Sequence, residues 1–260
     1  MSSGTNIILM SKFDTDSITA VTFNWMQART TLGAVRNFRH WYPDIPLLVI
    51  DAGDEKEGMD SFDKIYGPMD IGLMLDKDID KLRLAQTELN FRLIEVGENL
   101  SHGSLADYAV WESKTPLLLT MDNDIRLLDG RLLGEYLDKM NEDDDLYAVG
   151  SVYHTDSLSS DWVGLWFSLF KLEPIKKYHL TFGSYVIKTI ENKPVFLETG
   201  AFVYHALSDK YLHRTVKRDW KAYRYPKVEA MDDRLIHLKV RNGNYEQRKE
   251  WLKYVDGVTW

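Results

Sequence analysis

The stretch Thr115 to Leu128, TPLLLTMDNDIRLL, decides how the chain is read. Leu117, Leu118 and Leu119 form a short apolar run of the kind that makes a strand buried on both faces. The run ends in Met121-Asp122-Asn123-Asp124. In extended backbone, residues i and i+2 point to the same side, so Asp122 and Asp124 converge where a buried strand reaches the surface. Two carboxylates brought together raise each other's cost of ionisation unless a cation lies between them. A divalent metal holding a diphosphate is the simplest such cation. The competing reading is a plain strand-end turn, since Asp and Asn are common turn formers.

Working outward, the upstream sequence opens with the apolar run Asn6 to Met10, expected as the first strand, with Ser11, Lys12, Phe13 and Asp14 at its carboxyl end. Leu32, Val35, Phe38 and Tyr42 recur at helical steps within Thr30 to Tyr42, and Pro43 and Pro46 close that helix. Leu47 to Ile50 is a second buried strand ending in Asp51. Strand, helix and strand ending in an acidic turn make a βαβ start with a parallel sheet. Glu55 to Asp80 is glycine-rich, acidic and irregular. A helix is expected within Lys81 to Phe91 and a third strand at Phe91 to Val96. A turn follows at Asn99 to Gly103, then a helix capped by Ser104 and running through Trp111.

Downstream of the central motif, Asp129 to Met140 reads as a helix with Leu132, Leu133, Tyr136 and Leu137 on its apolar face. The acidic run Glu142 to Asp145 is a solvated loop, and Leu146 to Val152 is a strand. Ser157 to Phe170 carries Trp162, Trp166, Phe167 and Phe170, either as core or as a wall on which sugars and bases stack. Val195-Phe196-Leu197 leads into Glu198-Thr199-Gly200, and Ile236 to Val240 is a late strand. The tail, Tyr245 to Trp260, reads as a helix docking on its own domain. No repeat or linker interrupts the chain, so one domain over 1–260 is expected, with 1–152 and 153–260 as its halves.

The 260 residues are 44% hydrophobic and 12% aromatic, enough for one large α/β domain. A net charge of −8 argues against a general nucleic-acid binder, which needs a basic footprint. There is no cysteine, which excludes disulfides and thiolate zinc sites and fits a cytoplasmic location. No secretory leader pattern is visible at the N-terminus, and no apolar stretch reaches the ~18 residues of a membrane span. P-loop, G-x-S-x-G, G-x-G-x-x-G and H-E-x-x-H patterns are all absent from the sequence.

Taken together, the layout resembles a GT-A fold nucleotide-sugar glycosyltransferase of the family 2 type. The features that carry the resemblance are the strand ending in Asp51, the His102-Gly103 turn before a helix, the apolar strand running into Asp122-Asn123-Asp124, and the late strand histidine His237. The segment His102 to Gly150, HGSLADYAVWESKTPLLLTMDNDIRLL and then DDDLYAVG, is most similar to that group.

The resemblance implies an α/β fold with a Rossmann-like mixed sheet flanked by helices and a central D-x-D at a strand end. It implies transfer of a sugar from a nucleotide diphosphate sugar, UDP-sugar favoured, to a carbohydrate or other hydroxyl acceptor, with inversion and with Mn2+ or Mg2+. Asp51 would then hydrogen-bond the nucleobase, Asp122 the ribose or a metal-bound water, and Asp124 the metal. Asn123 would belong to the donor-binding set. His237 would complete the metal shell with Asp122 and Asp124 or touch the diphosphate. Ser11, Lys12 and His102 lie on loops that would border the nucleotide.

Family members often carry a Glu-Asp pair at a later helix start as the base, and this sequence has none. The candidates are Glu198, ranked first because it ends an apolar strand beside Gly200, and Asp161 in SDW. The missing pair keeps a non-catalytic nucleotide-sugar-binding protein as the alternative. A D-x-D phosphohydrolase and a nucleotidyltransferase rank lower. The first would carry its motif near the N-terminus, the second a glycine-rich basic loop after its first strand.

Overall fold

The computed structural model describes residues 13–53, 78–98, 100–155, 158–183, 185–190, 193–197, 199–216, 229–231 and 234–237. The strand expected at Asn6 to Met10, with Ser11 and Lys12, lies outside them, as do most of Glu55 to Asp80 and the whole tail. The strand that precedes the first helix is β1, Ile18–Asn24, which the sequence reading did not mark. Helix α1, Ala28–Trp41, starts two residues before its expected start, and β2, Leu47–Asp51, follows it. Arg39 ties the ends together. Its guanidinium donates to the carbonyls of Tyr42, Pro43 and Ile45 beside it, and to those of Leu89 and Asn90 from the next unit.

The next elements are α2, Ile79–Ala85; β3, Arg92–Glu95; α3, His102–Glu112; β4, Leu117–Met121; β5, Ile125–Leu127; and α4, Arg131–Glu142. Ser101, rather than Ser104, caps α3, its hydroxyl accepting from Ser104 N at 3.2 Å. After α4 come two long strands, β6, Leu146–Thr155, and β7, Leu158–Lys171, then α5, Leu172–Lys177. The hairpin β8, Tyr185–Ile190, and β9, Lys193–Leu197, precedes α6, Ala201–Leu207, and β10, Leu212–Val216. Two short strands, β11, Glu229–Met231, and β12, Leu235–His237, are the last described.

Seven strands form one sheet in the order β10-β6-β7-β4-β1-β2-β3. β3, β2, β1 and β4 run parallel, β7 is antiparallel to both of its neighbours, and β10 is parallel to β6. Alternate residues of each central strand enter different layers of core. Ile18, Ala20, Leu47, Val49, Leu117 and Leu119 pack with α1 and α4, whereas Val21, Phe23, Leu48, Ile50 and Leu118 pack with α3 and α5. Both faces are therefore covered, which is why β2 and β4 read as apolar runs. Trp162, Trp166, Phe167 and Phe170 are at most 5% exposed. They are core, so the alternative of an exposed stacking wall does not hold for them.

Candidate donor and metal site

The site lies at the carboxyl edge of the parallel strands, where open α/β sheets bind their ligands. In the register, Asn24 stands beside Asp51 and Thr22 beside Met121. Asn24 and Asp51 are therefore level, and Asp122 lies one residue short of them, beside Phe23. Asp51 is buried, at 8% exposure. Its Oδ1 accepts from Asn24 Nδ2, and its Oδ2 accepts from Gly53 N at 3.1 Å. Gly53 adopts φ 74°, a left-handed turn that glycine reaches without strain. An ionised carboxylate is an acceptor only, with room for several donors, and suits recognition of a base N–H.

The central turn is fixed from two sides. The backbone N–H of Asp122 donates to Trp166 O at 2.9 Å, extending the pairing of β4 with β7 by one residue. The Asn123 side-chain amide donates to Thr31 Oγ1 at 3.1 Å and to Gln27 Oε1 at 3.3 Å, both at the start of α1. Asp124 is 9% exposed and lines a small cleft with Thr30, Gly33, Ala34 and Arg126. His102, the first residue of α3, places Nε2 3.4 Å from Asp122 Oδ1, and its ring meets Phe23 edge-on at 4.8 Å. The backbone thus brings Asp51, His102, Asp122, Asn123 and Asp124 to one edge.

The late histidine arrives by strand pairing. β5, directly after the turn, is hydrogen-bonded to β12, which is flanked in turn by β11. His237 is registered against Ile125, the residue after Asp124, and Glu229 against His237. Among the described residues no group of three His, Asp or Glu side chains is placed to hold a metal, and the side chain of His237 is not among those described. The donors described at the turn, two carboxylates and an imidazole 3.4 Å from the first, are oxygen and nitrogen groups. That chemistry fits Mn2+, and with fewer imidazoles Mg2+.

On the other side of His102, Gly103 packs against a turn at 181–183. A Cβ at Gly103 would lie 2.3 Å from Phe182 O. Asp107 of α3 holds the same turn. Its Oδ1 accepts from Phe182 N at 2.7 Å and its Oδ2 from the Thr181 hydroxyl. Burial pushes the Asp107 carboxyl up from the ordinary aspartate value, against the pull of these bonds. Phe182 O accepts from Gly200 N at 3.0 Å, and Trp162 Nε1 donates to Thr199 O at 3.4 Å. The residues just after Glu198 are thereby anchored to β7 and to the turn beside α3. Glu198 itself is outside the described residues, and Asp161 falls within β7.

Sequence reasoning missed Asn24, Gln27, Thr31 and Asp107. A strand rich in threonine ending in Asn24 was the available signal for the first. The others announce themselves only through partners distant in sequence.

No family profile and no curated protein matches the chain. Among solved structures, it is similar to the mannosyltransferase PcManGT from Pyrobaculum calidifontis, in complex with GDP-Man and Mn2+, at 12% identity and a TM-score of 0.51. The match covers 76% of this chain and 54% of that one, so the chain spans about half the length of the mannosyltransferase. Weaker likenesses are to S. aureus TarS 1–349 (10% identity, TM-score 0.42, 76% of this chain and 60% of that one) and to GalNAc-T7 with UDP, GalNAc and Mn2+ (7%, 0.41, 63% and 36%). The chain has the GT-A glycosyltransferase fold: a mixed α/β sheet flanked by helices.

Proposed function

We propose that the chain is a metal-dependent glycosyltransferase. It takes a nucleotide diphosphate sugar, UDP-sugar favoured, and moves the sugar, a hexose, to a carbohydrate or other hydroxyl acceptor with inversion. The observation that carries this is the placement of Asp51 and of the Asp122–Asp124 turn at the carboxyl ends of parallel strands, with His102 3.4 Å from Asp122. The mannosyltransferase of like fold binds GDP-Man and Mn2+, ligands of the class this reading requires.

Asp51 accepts from the nucleobase. Ser11, Lys12, His102 and Asn123 border the nucleotide. Asp122, Asp124 and His237 hold Mn2+ or Mg2+, which when bound neutralises charge on the leaving diphosphate. Residues 1–152 form the donor half and 153–260 the acceptor half. Glu198, or failing it Asp161, takes the proton from the acceptor hydroxyl. The acceptor oxygen bonds to the anomeric carbon from the face opposite the diphosphate, which leaves with the electron pair of the breaking C–O bond. No helix among the described residues is long and apolar enough to cross a membrane. With the absence of cysteine, we place the protein in the cytoplasm.

A thermal-shift series with nucleoside diphosphates and their sugars, with and without Mn2+, tests the reading. A ligand that binds only the native state raises its stability, by about 2.7 kcal/mol at a hundredfold excess over Kd. One nucleotide family should shift the midpoint only with metal, and Asp124→Ala should lose the metal requirement together with the shift. No shift across the panel would return Asp122-Asn123-Asp124 to an ordinary turn. Binding without transfer to any acceptor would favour the non-catalytic alternative.

A further inference from the structure

A buried polar relay joins the two ends of the donor site. Asn24 Nδ2 donates to Asp51 Oδ1, the Thr31 hydroxyl donates to Asn24 Oδ1 at 2.7 Å, and Asn123 Nδ2 donates to Thr31 Oγ1 at 3.1 Å. Asn24 is 3% exposed and Thr31 is fully buried, so neither is placed to touch a ligand. The direction of every bond follows from the first. An ionised Asp51 only accepts, so Asn24 must turn its NH2 toward it and its oxygen toward Thr31. The single Thr31 proton is then committed to Asn24, and its oxygen is left to accept from Asn123. The orientation of the middle residue of the D-x-D turn is thus set, through three bonds, by the carboxylate that ends β2.

We propose that Thr31 is a positioning residue that couples nucleobase recognition at Asp51 to the geometry of the Asp122–Asp124 turn. The proposal rests on the donor-site reading above. Thr31 joins the side chain that ends β1, Asn24, to the turn after β4, Asn123, giving a bond to the first and taking one from the second. Without its hydroxyl, Asn24 Oδ1 loses its donor and Asn123 keeps only Gln27 Oε1 at 3.3 Å. Either amide can then rotate, and the bonded path from Asp51 to the turn is broken, although Gly53 N still holds Asp51 Oδ2.

The test compares wild type, Thr31→Val and Thr31→Ser. The affinities of UDP, GDP, ADP and CDP are measured by calorimetry at saturating Mn2+, and the unliganded melting temperature is taken for each protein. Valine keeps the shape and removes the hydroxyl. Thr31→Val is expected to weaken the preferred nucleotide about tenfold, as loss of one buried hydrogen-bond link implies. It should also flatten the preference among the four bases, and Thr31→Ser should restore both. Wild-type affinity and base preference in Thr31→Val overturn the proposal, whatever its melting temperature. So does a loss shared by Val and Ser that tracks the melting temperature, since that is a packing effect. If wild type binds none of the four, the donor-site reading itself has failed, which is seen before any variant is made.

Discussion

At the scale of single residues, the carboxylates divide into those a sequence displays and those it hides. Asp51, Asp122 and Asp124 stand at the ends of apolar runs, where a buried strand must surface, and were legible for that reason. Asp107 stands in mid-helix between alanine and tyrosine and reads as solvated. Only the fold brings Thr181 and Phe182, some 75 residues on, to its oxygens. Burial raises its carboxyl above the ordinary 3.8, which fixes the sign of its linkage. A raised folded-state value contributes stability that is complete below the unfolded value and lost as pH rises through the folded one. At neutral pH the ionised group is held at a cost. Asp107→Asn keeps an acceptor for Phe182 N and removes that cost. The variant is expected to melt at or above the wild-type temperature at pH 7, and wild type should gain on it as pH is lowered toward 4. A wild type that instead loses ground on acidification contradicts the assignment. Asp107→Ala, which leaves Phe182 N and Thr181 without their acceptor, should cost about 1–3 kcal/mol at either pH.

At the scale of elements, helices with a clear apolar stripe and strands with unbroken leucine or valine runs were legible, and mixed patterns were not. β1 was missed because ITAVTFN interleaves hydroxyls with apolar residues. Its threonines are nonetheless buried, at 6% for Thr19 and 0% for Thr22. β7 was read as an aromatic stretch because its 14 residues exceed an ordinary strand. Its length became visible only through its partners β4 and β6. α3 starts at His102, inside the stretch read as a turn and ahead of the expected cap at Ser104, and nothing in the sequence explains glycine at 103. A Cβ at Gly103 would meet Phe182 O at 2.3 Å and Gly183 Cα at 2.7 Å, both backbone atoms that cannot swing aside. Gly103→Ala must push α3 off the 181–183 turn and carry His102 away from Asp122. A stability loss of about 1–3 kcal/mol by urea unfolding is expected, the usual cost of overpacking. Gly134, in α4, is the control, with nothing within 4 Å of an added Cβ. Gly134→Ala should stabilise by about 0.5–1 kcal/mol, since it removes backbone freedom from an exposed helix position. Equal effects at the two glycines would mean that helix propensity, and not the contact with Phe182, governs Gly103.

At the scale of the whole molecule, the donor edge and the proposed acceptor half meet along β7. Its carboxyl-terminal part pairs with β4, from Lys171 against Leu117 to Phe167 against Met121. Its amino-terminal part runs on past the end of β4 and pairs only with the outer part of β6, Trp162 against Tyr153 and Leu158 against Thr155. The β6–β7 pair thus continues past Met121, the last residue of β4. Thr199 O accepts from Trp162 Nε1, and Gly200 N donates to Phe182 O. Trp162 is four residues from Trp166, whose carbonyl bonds Asp122 N. At about 3.3 Å per residue that is ~13 Å along the strand. The motif did not reveal this, because the expected Glu-Asp pair is missing and the β6–β7 extension depends on register between strands. We keep Glu198, which in sequence leads directly into the anchored pair, as the first candidate base and Asp161, within β7, as the second. Glu198→Gln keeps size and removes the proton acceptor. If Glu198 is the base, turnover should fall by about 10²–10⁴-fold, the range of a general base, while the Kd for the nucleotide stays within about twofold. Turnover near wild type in Glu198→Gln with a collapse in Asp161→Asn would move the base six residues outward from the strand end paired with β4. A matching loss of nucleotide affinity in Glu198→Gln would show instead that the loop after β9 closes over the donor and takes no proton.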